Sequence, residues 1–277
     1  MMVMLARRHS RKILIVMSLL AVLAGIISYL QKSPADASAP PAAPAPTEAA
    51  TQAVRPVEVP APTTAEGYQK LWASIDPAYW AAADVSLSVP MSDGRVVWLY
   101  GDTFSGLRGM VNSTGIVQTG GRLHVSHDGM QLLPSGGTDP QGRKVVYWIE
   151  EARAINGTDI EVTAAPIWTG TKNNLDFGRA NERSRTALVR LDADGDLTFV
   201  SWTGWVDAPV MDTRFLDVAD GAPYQKLGHV FYSKRTHAWA RLASGKTLTT
   251  ICQNRTEPEL VDGKINYAAY RPIFMEV

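Results

Sequence analysis

A single cysteine, Cys252, stands among 277 residues, so no internal disulfide can form and the fold has to be held by packing. Charge is also sparse: 19% of residues are Asp, Glu, Lys or Arg, and they balance to +0. The basic residues of the first 30 positions, Arg7, Arg8, Arg11 and Lys12, all lie before position 13, which leaves the remainder slightly acidic and offers nucleic acid no basic surface. There is no G-x-S-x-G, no P-loop and no dinucleotide-binding fingerprint, so those nucleophile, phosphate and cofactor chemistries lose their usual signatures and no cofactor is expected. Metal signals fail on spacing. In Asp192-Ala193-Asp194-Gly195-Asp196 the glycine falls at position 4 of a calcium loop instead of 6, and position 12 is not Glu, so the run reads as a hairpin turn. His124 and His127 sit three apart at a strand end and turn, where they need not share a face, so no zinc site is expected.

What is present begins with a targeting segment. Residues 1–12 are basic with no acid, and Ile13 to Leu30 is an 18-residue run without charge. A spanning helix needs about 17–25 residues and a secretory core about 7–15, so 13–30 is expected to be a signal-anchor with a cytoplasmic N-terminus and the bulk of the chain outside. Ala37-Ser38-Ala39 is a competing cleavage pattern, which would make the protein secreted. No cysteine lies nearby to carry a lipid. Residues 31–64 are rich in proline and alanine, the composition of a semi-extended linker. That leaves 65–277 as one folded domain.

Within it, turn signals are each followed by a strand-like run: Ser92-Asp93-Gly94-Arg95, Gly120-Gly121-Arg122, Gln141-Gly142-Arg143-Lys144, Asp194-Gly195-Asp196 and Ser244-Gly245-Lys246. Each is expected to be a hairpin. Their flanks are β-branched and aromatic, and helical periodicity is confined to Tyr68 to Ile75. The class is therefore all-β. Sandwich, barrel and propeller all fit, and irregular glycine spacing with about five hairpin signals favours a small propeller.

One hairpin carries two acids to the same end. Residues 84–89 alternate apolar and polar, and Arg95 to Gly101 returns as a second strand. A turn centred between Ser92 and Asp93 would oppose Asp84 to Gly101 and leave Asp102 one residue beyond its partner. Opposed pairs lie about 5 Å apart and diagonal pairs about 7–8 Å, within the roughly 5–9 Å used by glycosidase carboxylates. Asp84 and Asp102 are thus candidate catalytic acids, although an Asp at a strand end also commonly caps a turn. Glu150 and Glu151 are reserve acids, with one of the adjacent pair expected to face solvent and the other to end the strand.

The runs Trp80-Ala81-Ala82-Ala83-Asp84, Ser88-Val89-Pro90, Asp93-Gly94-Arg95, Trp98-Leu99-Tyr100-Gly101-Asp102-Thr103-Phe104 and Asn112-Ser113 resemble the opening blade of an actinobacterial propeller family of formerly unknown function that includes endo-D-arabinanases. His237, Leu242 to Lys246, Asn254 and Tyr270-Arg271-Pro272-Ile273-Phe274 resemble its closing blade, and the matches cover about a third of the folded region, with the middle departing from the pattern. The resemblance implies a five-bladed β-propeller glycoside hydrolase acting on D-arabinofuranose linkages of arabinogalactan or lipoarabinomannan, with Asp84 and Asp102 as its acids. It also implies that His237 and Asn112 could hydrogen-bond a sugar.

Trp98 and Tyr100 share a strand face, for which core packing competes with sugar stacking. Arg271 could pair with a carboxylate or lie exposed. Asn112, Asn156 and Asn254 each open an N-x-Ser/Thr tripeptide, a pattern common by chance. A propeller that binds cell-wall glycan without cleaving it, or one that scaffolds an envelope protein complex, would fit the same membrane-tethered layout.

Overall fold

The computed structural model describes residues 59–170, 176–209, 229–255, 260–261, 264–265 and 267–277. The basic segment, the apolar run 13–30 and the linker up to residue 58 lie outside the described residues. Among the described residues no helix is long and apolar enough to cross a membrane. The end of the linker is packed. Val59 O accepts from Gly121 N–H at 2.8 Å, and Thr63 O accepts from Ala243 N–H at 2.8 Å.

The helix α1 (Ala65–Ala73) starts at Thr64, whose Oγ1 accepts from Gly67 N–H at 3.0 Å and so satisfies one of the donors every helix start leaves open. Glu66 and Lys70 pair along its exposed side at 2.7 Å. Ala65, Tyr68 and Trp72 form the buried stripe, and they meet strands from both ends of the domain.

Strands β1 (Ala82–Ala83), β2 (Leu87–Pro90), β3 (Val96–Tyr100), β4 (Thr103–Ser105), β5 (Gly109–Val111), β6 (Thr114–Thr119) and β7 (Arg122–Val125) form two antiparallel sheets, β1-β4-β5 and β2-β3-β6-β7. The next five are β8 (Lys144–Ala154), β9 (Asp159–Thr169), β10 (Phe177–Arg179), β11 (Arg183–Leu191) and β12 (Leu197–Asp207). They make one sheet in which β9 pairs with β8, β10 and β11, and β12 adds to β11. Strands β13 (His229–His237) and β14 (Leu248–Arg255) come next, followed by the two-stranded ribbon of β15 (Leu260–Val261) and β16 (Lys264–Ile265) and by β17 (Ile273–Glu276). The last sheet runs β13-β14-β17. The fold is all-β, as the strand-rich flanks and hairpin turns require. Every pairing is antiparallel, and the described strands do not by themselves complete a closed ring of blades.

β3 is buried at all five positions. Its even residues, Val96, Trp98 and Tyr100, join α1 and Phe274 of β17 in one core, while Val97 and Leu99 join β8, β9, β11 and Leu197 in another. Trp72 locks the first core: its indole N–H donates to Tyr100 Oη at 2.5 Å, and its ring lies 4.7 Å from Trp98 and 4.9 Å from Phe274. Trp98 is fully buried and donates to Gln118 Oε1 at 3.0 Å. It is a packing residue with no face left for a sugar.

Register is where the first hairpin departs from expectation. Leu87 faces Leu99 and Val89 faces Val97, one residue off the register read from the sequence, because the turn holds three residues centred on Asp93. Met91 N–H reaches Arg95 O at 2.8 Å, and Gly94 takes φ 86°, which a side chain would resist. Gly120-Gly121 and Asp194-Gly195 are also true hairpin turns, and Gln141-Gly142 turns a short one in which Thr138 bridges Lys144 and Asp139 N–H donates to Arg143 O at 2.9 Å. Ser244-Gly245 is not a hairpin turn of this kind, since it lies in the long β13–β14 connection. The β8–β9 hairpin instead turns at Asn156-Gly157, with Asn156 Oδ1 accepting from Thr158 and Asp159 N–H at 2.8 Å each.

Trp72→Ala is expected to remove about 3–5 kcal/mol of stability, because it empties the contact between α1, β3 and β17. Leu107→Ala, at a 61% exposed position, should cost less than about 1 kcal/mol. Urea unfolding of both variants checks the contrast.

Candidate active site

β1 and β4 pair Ala83 with Thr103, and continuing that register sets Asp84 opposite Asp102. Two backbone bonds fix Asp84 there: its N–H donates to Asp102 O at 3.2 Å, and its O accepts from Gly101 N–H at 3.1 Å. Asp84 therefore faces both Gly101, as expected from the sequence, and Asp102, and the two acids lie side by side at the end of the β1–β4 ladder. Immediately after Asp84 the chain turns sharply. Val85 and Ser86 take φ 76° and 49°, a left-handed conformation that a β-branched residue adopts only under constraint. This kink separates β1 from β2, so the alternation read through residues 84–89 is broken.

The kink folds the Asp84 carboxyl over Gly101. A Cβ on Gly101 would collide with Asp84 Oδ1 and meet Val85 Cγ2 at 2.9 Å, so the missing side chain is what admits the carboxyl. Asp84 Oδ1 is buried without a hydrogen-bond partner among the described residues. Asp84 Oδ2 accepts from Tyr270 Oη–H at 2.8 Å and from Tyr232 Oη–H at 3.1 Å. Asp102 Oδ1 accepts from Asn112 Nδ2–H at 2.8 Å, and the Trp148 indole lies close enough to favour its ionised form, although the indole N–H makes no hydrogen bond among the described residues.

These surroundings separate the two acids. Burial, reinforced by the charge of Asp102, pushes Asp84 up to about 7, against the opposing pull of the two tyrosine hydroxyls. Burial also raises Asp102, but the Asn112 donor and the neighbouring Trp148 indole favour its ionised form. Asp102 thus ionises first, and its charge holds a proton on Asp84. Burial and the neighbouring Asp84 charge raise both Tyr232 and Tyr270 above the ordinary tyrosine value, keeping them as donors.

The remaining sequence candidates divide. Asn112 belongs to the site, as the orienting partner of Asp102 and not as a free sugar ligand. His237 is 1% exposed with both ring nitrogens engaged, Nδ1 with Ser88 Oγ at 2.6 Å and Nε2 with Thr250 Oγ1 at 2.9 Å. Burial, with Arg235 nearby, pushes it down to about 3, so it stays neutral in the core. Arg271 Nε donates to Ala81 O at 2.6 Å, which fixes the backbone three residues before Asp84, and it pairs with no carboxylate among the described residues. Glu151 is exposed, but Glu150 is 1% exposed and paired to Arg179 at 2.8 Å, so the expected strand-ending role for it is corrected: a bulge between Ile149 and Glu151 turns Glu150 inward. Asp192 Oδ1 accepts from the N–H groups of Asp194, Gly195 and Asp196 and forms the turn expected of it. Tyr232, Tyr270 and Trp148 were not readable as site residues. Tyr270 lay within a quoted family match, but nothing in its spacing pointed to Asp84.

No family model matches this chain, and no curated protein matches it. Among solved structures, the crystal structure of a "putative hydrolase" from Bacteroides ovatus ATCC 8483 is similar at TM-score 0.37 and 16% identity, over 72% of this chain and 56% of that one. This chain spans little more than half the length of that protein, and a likeness of this size carries no weight for fold or chemistry.

The raised Asp84 value has a stability consequence with a definite sign. A carboxyl at 3.8 unfolded and about 7 folded contributes stability that is complete below pH 4 and is lost as pH rises through 7. Asp84→Asn should therefore flatten the fall in stability between pH 4 and pH 8 and gain roughly 2–4 kcal/mol over the parent at pH 8. Urea midpoints at the two pH values test this, and equal slopes in parent and variant would contradict it.

Proposed function

We propose that this protein is an extracytoplasmic glycoside hydrolase of the cell wall, acting on D-arabinofuranose linkages of arabinogalactan or lipoarabinomannan. The observation that carries the reading is the opposed pair Asp84 and Asp102, whose surroundings give one a retained proton and the other a charge. Two carboxyls in unlike protonation states on either side of a glycosidic bond are the requirement for its hydrolysis. The locally connected antiparallel sheets support a reduced five-bladed propeller as the scaffold, and the motif resemblance around both acids supports the substrate class. The basic segment and apolar run at 1–30 support a single-pass anchor with the sheets outside the cytoplasm.

In this mechanism Asp84 is the general acid. Its Oδ1 is shut against Gly101, so the proton passes through Oδ2, where the tyrosine hydroxyls hold the carboxyl in place. Donation to the glycosidic oxygen breaks the bond to the departing sugar. Asp102, ionised and oriented by Asn112, acts from the facing strand on water or on the anomeric carbon.

Incubation with purified arabinogalactan, followed by reducing-end assay and chromatography, tests the reading. Asp84→Asn and Asp102→Asn should each lower turnover at least about 10²-fold while leaving the fold intact, and unchanged release in both would remove the assignment. Saturable binding without release would leave a glycan-binding protein instead.

The pH profile gives a second test. The rate should fall above about pH 7 as Asp84 loses its proton and fall again in acid as Asp102 gains one, so that the alkaline limb of the bell belongs to Asp84. Tyr270→Phe removes a donor that favours ionised Asp84, so the alkaline limb should move to higher pH; a limb that stays in place would exclude Asp84 as the acid.

A further inference from the structure

β10 is three residues long and presents Phe177 and Arg179 on one face. Its pairing places Arg179 opposite Ile167 of β9, which in turn faces Val146 of β8, with Trp148 against Ala165 in the next row. Phe177 is 41% exposed and meets the Trp148 ring nearly edge to face at 4.9 Å. Its outer face is open to solvent beside an aromatic already anchored in the sheet.

Arg179 is held from beneath. Its Nη1 donates to Glu150 Oε1 at 2.8 Å, its Nη2 to Ser184 Oγ at 2.8 Å and its Nε to Asn181 O at 3.2 Å. Ser184 Oγ–H donates in turn to Glu150 Oε2. A guanidinium has five N–H groups, so two remain, on a side chain that is 31% exposed. A buried ion pair is a poor source of net stability, and this one leaves its cation fixed with donors facing outward.

Two contacts connect this cluster to the acid pair. The Trp148 indole lies close enough to Asp102 to favour its ionised form, and its buried N–H has no hydrogen-bond partner among the described residues. Arg235, three residues along β13 from Tyr232, donates from Nη2 to Glu150 O at 3.2 Å, and its buried Nε has no partner among the described residues.

We propose that Phe177 and Arg179 form a saccharide-binding subsite next to the acid pair, with Glu150 as the positioning residue that holds Arg179. The subsite rests on the hydrolase reading above and extends it. A sugar ring lies on the open face of Phe177, and its hydroxyls accept from the two remaining Arg179 N–H groups, as an apolar face with fixed donors requires. The ligand is a neutral glycan, since the cluster's own carboxylate already balances the Arg179 charge.

The test uses the full-length protein, purified arabinogalactan as probe, and both turnover and retention in an arabinogalactan-containing gel. Phe177→Ala should raise KM about tenfold with kcat changed less than about threefold, and Phe177→Tyr should restore KM. Arg179→Lys, which keeps the charge but loses the planar fork, should raise KM in the same way. Since Phe177 is surface-exposed, its variants remain informative even if Arg179→Lys disturbs Glu150. Parent turnover with KM unmoved in these variants overturns the subsite and leaves the hydrolase reading standing. If the parent releases nothing yet is retained in the gel, and Phe177→Ala is not retained, the subsite stands and the hydrolase reading falls. A parent neither active nor retained overturns both.

Discussion

The Asp84 carboxyl lies over the bare Cα of Gly101, one oxygen under two tyrosine hydroxyls and the other buried without a donor among the described residues. Burying a carboxyl this way is unfavourable unless the group stays protonated or finds partners, so the surrounding structure has to hold it there. The left-handed backbone at Val85 and Ser86 is part of that holding, because an ordinary extended strand would carry residue 84 out over its neighbour and away from residue 101. Arg271 contributes from the other side by gripping Ala81 O. The strain at the kink and the desolvation of the acid are both borne by the packing of β3 and the C-terminal sheet.

That packing has the strength to do so because β3 is apolar on both faces. A one-residue slip in a strand turns its whole side-chain set to the opposite face, so even one buried face specifies the register. Here a slip would drive Trp98 and Tyr100 into the space of Val97 and Leu99, and each set is matched to a separate core. The aromatic set also connects the beginning and end of the domain. Ala65 N–H donates to Glu276 Oε1 at 3.0 Å, and Tyr68 stacks on Phe274 at 5.7 Å, so the strand that leads into Gly101 and Asp102 is clamped by elements far apart in sequence.

These facts explain which parts were legible in the sequence. β3 was readable because its five residues are all apolar and four of them β-branched or aromatic, and α1 because the helical periodicity from Tyr68 to Ile75 is local, although the helix itself spans Ala65–Ala73. The two acids were readable because a hairpin carries both. Their register was not, since it hangs on Gly94 adopting a positive φ and lengthening the turn by one residue. Asn156-Gly157 fits a turn as well as a glycosylation pattern, and the local sequence does not say which; the Asn156 side chain closes the β8–β9 turn. Tyr232, Tyr270 and Trp148 come from strands and turns up to 186 positions away, and no periodicity within one strand reports on a partner in another sheet. The inward turn of Glu150 depends on a bulge, which pattern reading cannot place. The resemblance allows His237 to bond a sugar, but a structural histidine fits the same sequence, and Ser88 and Thr250 satisfy it within the core.

The neighbours of the two acids also come from different places, and this gives the site its asymmetry. Asp84 is held by Tyr232 of β13 and by Tyr270, both from the C-terminal part of the chain, while Asp102 is held by Asn112 after β5, with the Trp148 indole of the five-stranded sheet beside it. Two carboxyls on adjacent strands with identical surroundings would compete for a proton, and neither would be reliably acid or base. Here burial and the Asp102 charge raise Asp84 against the pull of its two tyrosine donors, while Asn112 favours the ionised form of Asp102. The division of roles is therefore a product of how the sheets dock around the hairpin, and a local motif containing both acids could carry their positions but not their difference.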